Sequence, residues 1–290
     1  MGDITPGCSL NDHQRAMTAI LCELDRICRT LDIPYVLFAG TLLGAVRHGG
    51  FIPWDDDLDV MMHRDDYDRF LREAEKKIDA DQFFLQKEFS HHWPMFFSKM
   101  RLNKTACLEK FHPRDKSMHQ GIYIDIFPCD NAYDSNVLRK LQFYSSKVVI
   151  AKSLFRRGYD TDSKKKKLFM AFCRVLPMAP FLRLTKGKKK KGKIYHSFLG
   201  GASKYSKNIY PENFFTERTA VTFEGREYPA PKDYTRLLIQ LYGEDYMSLP
   251  PEEERRVKQH AILVDTENSY ENYSDYRDGM TFDVYTRSIR

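Results

Sequence analysis

Apolar residues recur at helical spacing between Ser9 and Leu31, where Leu10, Met17, Ile20, Leu21, Leu24, Ile27, Cys28 and Leu31 fall on one side and predict an opening amphipathic helix. Pro34 stops it, and the wholly apolar YVLFAG suits a short buried strand with a turn at Gly40. TLLGAVR (41–47) then reads as a short helix before the Gly49-Gly50 turn, and LDVMM (58–62) as a second strand. Tyr67, Phe70, Leu71, Ala74 and Ile78 share a helical face behind Asp65 and Asp66, acids that a first helical turn favours. Strand-like FFLQKEF, FFSKMRL, TACLEK and GIYIDIFP follow, and residues 134–159 return to helical spacing. Further on, TAVTFEGREY reads as strand-like around a Glu224-Gly225 turn, before a helix opened by Pro231 and closed near Gly243. Beyond Asp265 the chain is polar and dotted with tyrosines, and regular structure is not expected there.

Helix followed by a mixed run of strands predicts an α+β fold, a mixed sheet flanked by helices with a mostly helical basic insertion. Four stretches are expected: a core with its N-terminal helix (1–135), a helical basic segment (136–210), a strand-helix unit packing on the core (211–264) and a polar tail (265–290). With 42% apolar and 13% aromatic residues, 290 residues can build a sizeable core, which argues against disorder. No charge-free apolar run approaches the roughly 20 residues that cross a bilayer. The opening MGDITPGCSLNDHQ lacks the basic and apolar stretches of a secretory leader. Six cysteines without a C-x-x-C pair suit reduced thiols, so a cytoplasmic protein is expected.

The net charge of +6 is unevenly spread: Ser163 to Lys193 holds twelve Lys and Arg and no acid, so the remainder is net acidic. Within it, Lys164–Lys167 and Lys188–Lys191 bracket the apolar but broken LFMAFCRVLPMAPFLRL. Lysines around apolar side chains fit an interfacial element on an anionic membrane, at the inner face for a cytoplasmic protein. A core helix pair with a solvated lysine loop fits equally, and nucleic-acid binding is disfavoured because no aromatics interleave the charges.

The densest chemistry lies in GTLLGAVRHGGFIPWDDDLDV, where Asp55, Asp56, Asp57 and Asp59 crowd the start of an apolar strand. Strand alternation sends Asp55, Asp57 and Asp59 to one side and Asp56 to the other. Carboxylates crowded on one face repel unless a cation sits among them, and an all-oxygen set suits Mg²⁺ or Mn²⁺. A solvated acidic loop is the alternative. Asp125, embedded in the apolar run Ile122–Phe127, is read as a further metal ligand, with a hydrogen-bonded structural acid as its rival. Arg47, Lys99 and Arg101 are candidates to hold phosphate, against ordinary surface charge. Gly40 and Thr41 offer phosphate backbone N–H groups and a hydroxyl, although a tight turn alone explains them. Trp54 and Trp93 suit either a quaternary ammonium or, with better odds, a core or rim position. The histidines His48, His91, His92, His112 and His119, with Cys107 and Cys129, lack the short spacing of zinc ligands.

A Gly-Thr after a strand, an acid-apolar-acid pair on the next and a further acid on a later strand resemble the nucleotidyltransferase fold, the polymerase-β-like palm. AGTLLGAVRHGGFIPWDDDLDV, GIYIDIFP and YPAPKDYTRLLIQLYGEDYMSLPP together closely resemble the LicD family of phosphocholine transferases, related to fukutin and its ribitol-phosphate-transferring relative. These blocks reach from about Tyr35 to His260, and the first is the most specific. The resemblance implies a LicD-type phosphotransferase: metal-dependent transfer of phosphocholine or a similar phospho-alcohol from CDP-choline or a related CDP-alcohol to a sugar hydroxyl. It also implies an acceptor on a cell-surface glycan such as teichoic acid, lipopolysaccharide or capsule, with CMP as the leaving group; a membrane-bound basic segment would place the enzyme beside a lipid-linked glycan. Carried over, Asp57 and Asp59 hold the metals, Asp55 assists, and Asp125 completes the site and helps deprotonate the acceptor. The basic segment is not part of the family's motifs. Two rivals stand: a nucleotidyltransferase using a nucleoside triphosphate, and a non-catalytic membrane or RNA adaptor that needs no carboxylates.

Overall fold

The structure, a computed structural model, describes residues 10–109, 118–159, 161–187, 194–196, 205–255 and 260–273. The opening periodicity forms α1 (Leu10–Leu31), which buries Met17, Ile20, Leu21, Leu24 and Ile27 completely. The chain leaves it through Asp32 at φ 50°, and the Ile33 N–H closes the helix end on the Cys28 carbonyl at 2.8 Å. Then come β1 (Val36–Leu37), α2 (Ala39–His48), β2 (Asp59–His63), α3 (Arg64–Glu73), β3 (Phe83–Gln86), β4 (Ser98–Leu102), β5 (Ala106–Glu109) and β6 (Tyr123–Asn131). The turn expected at Gly40 is instead the first turn of α2, which runs on to a left-handed Gly49. Two bonds seat that helix start on the sheet: Asp59 N–H donates to Thr41 Oγ1 at 2.8 Å, and Phe38 N–H to the Asp59 carbonyl at 3.0 Å.

The expected helix near 134–159 is α4 (Asn136–Arg157), and the basic segment contributes α5 (Lys164–Val175) and α6 (Met178–Thr185). Lys188–Lys191 lie outside the described residues. Next are β7 (Ile194–His196), β8 (Ile209–Pro211), α7 (Asn213–Thr216), β9 (Arg218–Phe223), β10 (Arg226–Pro231), α8 (Tyr234–Tyr242), α9 (Glu252–Arg255) and β11 (Ala261–Asp265). Glu224 (φ 49°) and Gly225 (φ 74°) make the two-residue turn between β9 and β10. Pro231 does not open the following helix. It closes β10, and Asp233 caps α8 by accepting the Arg236 N–H.

Among the described residues the main sheet has seven strands in the order β1-β2-β6-β4-β3, with β7 joining β6 and β8 joining β7. Strands β2 and β6 run parallel, while β1–β2, β6–β4 and β4–β3 are antiparallel, so the sheet is mixed. Helices α1 and α3 pack on it, and its central strand β6 is apolar on both faces except at Asp125 and its last residues. The expected mixed sheet flanked by helices is therefore what forms.

Candidate active site

Register alone assembles the site. In the parallel β2–β6 pair Asp59 stands opposite Asp125, and in the antiparallel β4–β6 pair Lys99 stands opposite the same Asp125. Residues paired across neighbouring strands point to one face, so Asp59, Asp125 and Lys99 form a row across three strands. The extended pairing continues backwards, because the Asp125 N–H donates to the Leu58 carbonyl at 2.8 Å; Asp57 therefore joins the row and Asp56 leaves it. Asp56 is only 2% exposed, and its Oδ2 accepts the N–H groups of His260 at 2.6 Å and Ala261 at 2.8 Å, which pins the start of β11.

This row is the floor of a cleft of about 770 Å³. Tyr123 and Phe127 extend the floor, Lys147, Ile150, Ala151, Leu154 and Arg157 of α4 and Lys166, Phe169 and Met170 of α5 wall it, and Met95, Phe96, Phe97, Glu109 and His260 complete it. Lys99, 1% exposed, lies with Nζ 2.9 Å from Asp125 Oδ1, 3.7 Å from Glu109 Oε1 and 3.1 Å from the centre of the Tyr123 ring. Glu109 is paired with Arg157 and accepts the Tyr123 hydroxyl at 3.0 Å. At the opposite end His260 Nε2 lies 3.4 Å from Asp57 Oδ2.

The electrostatics divide along the same line. Burial pushes the Asp57 carboxyl up to about 6, with His260 opposing the rise and Asp56 and Asp125 adding to it. Burial also drives Asp59 well above the carboxylate range, reinforced by Asp57, Asp125 and Asp55. Asp125 is raised by burial against the pull of Lys99, whose own ammonium burial makes less basic. Glu109 goes the other way: burial opposes its charge, but Arg157, Lys99 and Arg101 hold it well below the usual range. The Asp row is thus short of positive charge, whereas Glu109 is amply supplied.

The donor set fits a hard divalent cation: three carboxylates from two adjacent strands whose mutual repulsion a cation would relieve. They do not form a closed cage as they stand. Among the described residues no three His, Cys, Asp or Glu side chains are arranged to hold a metal ion. Lys99 and His260, lying close to Asp125 and Asp57 respectively, give a physical reason.

The structure brings Asp57, Asp59, Asp125 and Lys99 together in the cleft and places the other candidates elsewhere. Asp55 sits against α2, where a Cβ on Gly40 would come within 2.8 Å of its Oδ2, so a larger residue at position 40 would push that carboxylate aside. Thr41 is buried and spends its hydroxyl on the Asp59 N–H, so it positions β2 and is not open to a phosphate. Arg47 turns its Nη1 to the carbonyls of Tyr246 at 3.0 Å and Ser248 at 3.1 Å, outside the cleft lining. Arg101 is 1% exposed and bonds Gln86 Oε1 and the Gly121 carbonyl, both at 2.7 Å, so it braces strands behind Tyr123 and has no open face for a phosphate. Trp93 is fully buried, with Nε1 donating to the Phe97 carbonyl at 2.7 Å, and Trp54 lies under Arg255. The sequence reading passed over Glu109, Tyr123, Arg157 and His260. Alternation on β6 puts Tyr123 beside Asp125; the other three arrive by tertiary approach and leave no local signal.

A mixed sheet that sets an acid-apolar-acid pair beside a third acid on the adjacent strand, at the floor of a cleft, defines a nucleotidyltransferase-type palm. Residues 32–155 match the family model for LicD, described as the LicD/FKTN/FKRP nucleotidyltransferase domain, and this stretch of the chain is a LicD-family domain. The chain is 29% identical to the lipopolysaccharide cholinephosphotransferase LicD of Haemophilus influenzae over 86% of its own length and 95% of that protein's. It is 31% identical to the human ribitol 5-phosphate transferase FKRP over 36% of its own length and 24% of FKRP's. An uncharacterized protein of Rickettsia prowazekii is 33% identical over 40% of this chain and 42% of its own.

Proposed function

We propose that this chain transfers a phosphorylated alcohol, phosphocholine or a close analogue, from a CDP-linked donor to a hydroxyl of a cell-surface glycan, releasing CMP. The observation that carries the reading is the row Asp57, Asp59 and Asp125 on the cleft floor, an acidic surplus that Lys99 and His260 offset only in part. Similarity to a cholinephosphotransferase over most of both chains supports the choice of alcohol.

In this reading Asp57 and Asp59 would hold Mg²⁺ or Mn²⁺, Asp125 would complete the set, and Asp55 would assist through the negative charge it adds near Asp59. Bound there, the cation supplies charge neutralisation for the donor diphosphate and lowers the pKa of the acceptor hydroxyl. The Asp125 carboxylate, raised by burial, takes the hydroxyl proton, and Lys99 steers that carboxylate from 2.9 Å. Arg157 and Lys147 on the α4 wall give the departing phosphate a cationic side, and the apolar wall excludes water from the reacting phosphorus.

The test is a screen of CDP-choline, CDP-ribitol and CDP-glycerol with Mg²⁺ and a glycan acceptor, reading released CMP. One donor should give acceptor-dependent CMP. Pyrophosphate release from a nucleoside triphosphate would instead mean nucleotidyl transfer, and no turnover with any donor would favour an adaptor.

A further inference from the structure

Helix α5 has two apolar faces, and the fold uses one. Met170 and Cys173 point inward and pack with Ala151 of α4, together with Val148, Leu154 and Phe155. Leu168, Phe172 and Val175, spaced i, i+4 and i+7, form a second stripe that is 74%, 59% and 77% exposed. Single exposed apolar residues are ordinary; three in register along one short helix are a surface.

The charges on the same helix point to what covers it. Lys164, Lys165, Lys166 and Lys167 fill its first turn, with no acid there, which sets four cations against the positive end of the helix dipole. That arrangement works against the helix dipole, and an external anion would relieve it. Helices α5 and α6 meet at 105° and so form no straight span, and α6 packs Met178, Phe181 and Leu182 on the core, which leaves the outer stripe of α5 as the face that could lie in an interface plane. A second copy is a poor partner, since it would cover the apolar stripe but bring the same four lysines and no anion to meet them. Nucleic acid would answer the lysines and leave Leu168, Phe172 and Val175 in water.

We propose that α5 docks this protein on an anionic phospholipid bilayer, with Leu168, Phe172 and Val175 entering the headgroup boundary and Lys164, Lys165 and Lys167 meeting acidic headgroups. The other side of the helix lines the cleft through Lys166, Phe169 and Met170, so docking holds the cleft beside the bilayer surface, within reach of a hydroxyl carried on a lipid. The docking stands apart from the proposed chemistry and is measured without turnover.

The experiment is flotation of the full chain with vesicles of phosphatidylglycerol and phosphatidylcholine, against phosphatidylcholine alone. The parent should float with the anionic vesicles and stay behind with the neutral ones. The triple variants L168Q/F172Q/V175Q and K164Q/K165Q/K167Q should each bind at least about ten-fold more weakly, with unchanged circular dichroism. The emission of an F172W variant, read as its difference from the parent with Trp54 and Trp93, should shift to the blue on adding anionic vesicles. Equal binding by either triple variant, equal binding to neutral vesicles, an unmoved F172W emission, or a dimer in sedimentation velocity that L168Q/F172Q/V175Q dissolves would each overturn the proposal.

Discussion

Two charged clusters lie along the same pair of strands, one at each end. Just past β2, Arg64 is 6% exposed, with Nε 2.7 Å from Asp130 Oδ1 at the far end of β6 and Nη1 2.8 Å from Glu88 Oε1. Lys186 reaches Glu88 as well, at 3.3 Å, and Asp68 adds a further acid to Arg64 at the same distance, 3.3 Å. Although burial works against its charge, Asp130 and Glu88 keep Arg64 firmly protonated. At the near end of the same strands Asp57, Asp59 and Asp125 are offset chiefly by Lys99 and His260, with a smaller pull from Arg101 on Asp125, and all three carboxyls are pushed up. The first cluster forks a guanidinium between acids with hydrogen bonds to both and lines no part of the cleft, which is how a buried charge becomes structural. The second leaves carboxylates repelling one another inside a cleft, a repulsion that the proposed cation would relieve.

The contrast breaks most sharply on activity. Asp59→Asn should cost about 10³-fold in turnover through loss of several kcal/mol of charge stabilisation, while thermal melting shows an intact fold. The opposite end should respond on stability: Arg64→Met leaves Asp130 buried without its guanidinium and Glu88 with Lys186 alone, and chemical denaturation should show a loss of about 3–5 kcal/mol. A finer test uses pH. Because the folded Asp57 carboxyl sits at about 6, above its ordinary 3.8, the folded state binds the extra proton between those values and stability falls as pH rises through that window. Asp57→Asn removes the penalty, so in metal-free buffer at pH 8 the variant should be more stable than the parent by up to roughly 3 kcal/mol. The difference should vanish below pH 3.8, and Mg²⁺ should raise the melting temperature of the parent only.

The two clusters were unequally legible. Asp57, Asp59 and Asp125 announce themselves because period-two alternation fixes their face and an acid inside an apolar strand is anomalous on its own. The Arg64–Asp130–Glu88 set carries no such mark, since its members belong to unconnected segments and meet only when the sheet closes. Alternation also misleads. It puts Lys99 and Arg101 on one face, yet only Lys99 reaches the cleft, because Arg101 is taken up by Gln86 and the Gly121 carbonyl. Strand β11 escaped because its five residues are flanked by polar sequence, and its partner β5 lies far back in the chain. In the basic segment the pattern gave a helix, but which apolar side faces inward depends on α4, and only the packed structure separates Met170 and Cys173 from Leu168, Phe172 and Val175.

The central claim is that the surplus of carboxylates on the cleft floor exists to take up a divalent cation. Electron paramagnetic resonance of free Mn²⁺, titrated with the protein at pH 8, tests it without a substrate. Saturable loss of the free-ion signal by the parent and its return in Asp59→Asn is the predicted result; no uptake by the parent, or undiminished uptake by the variant, would contradict it.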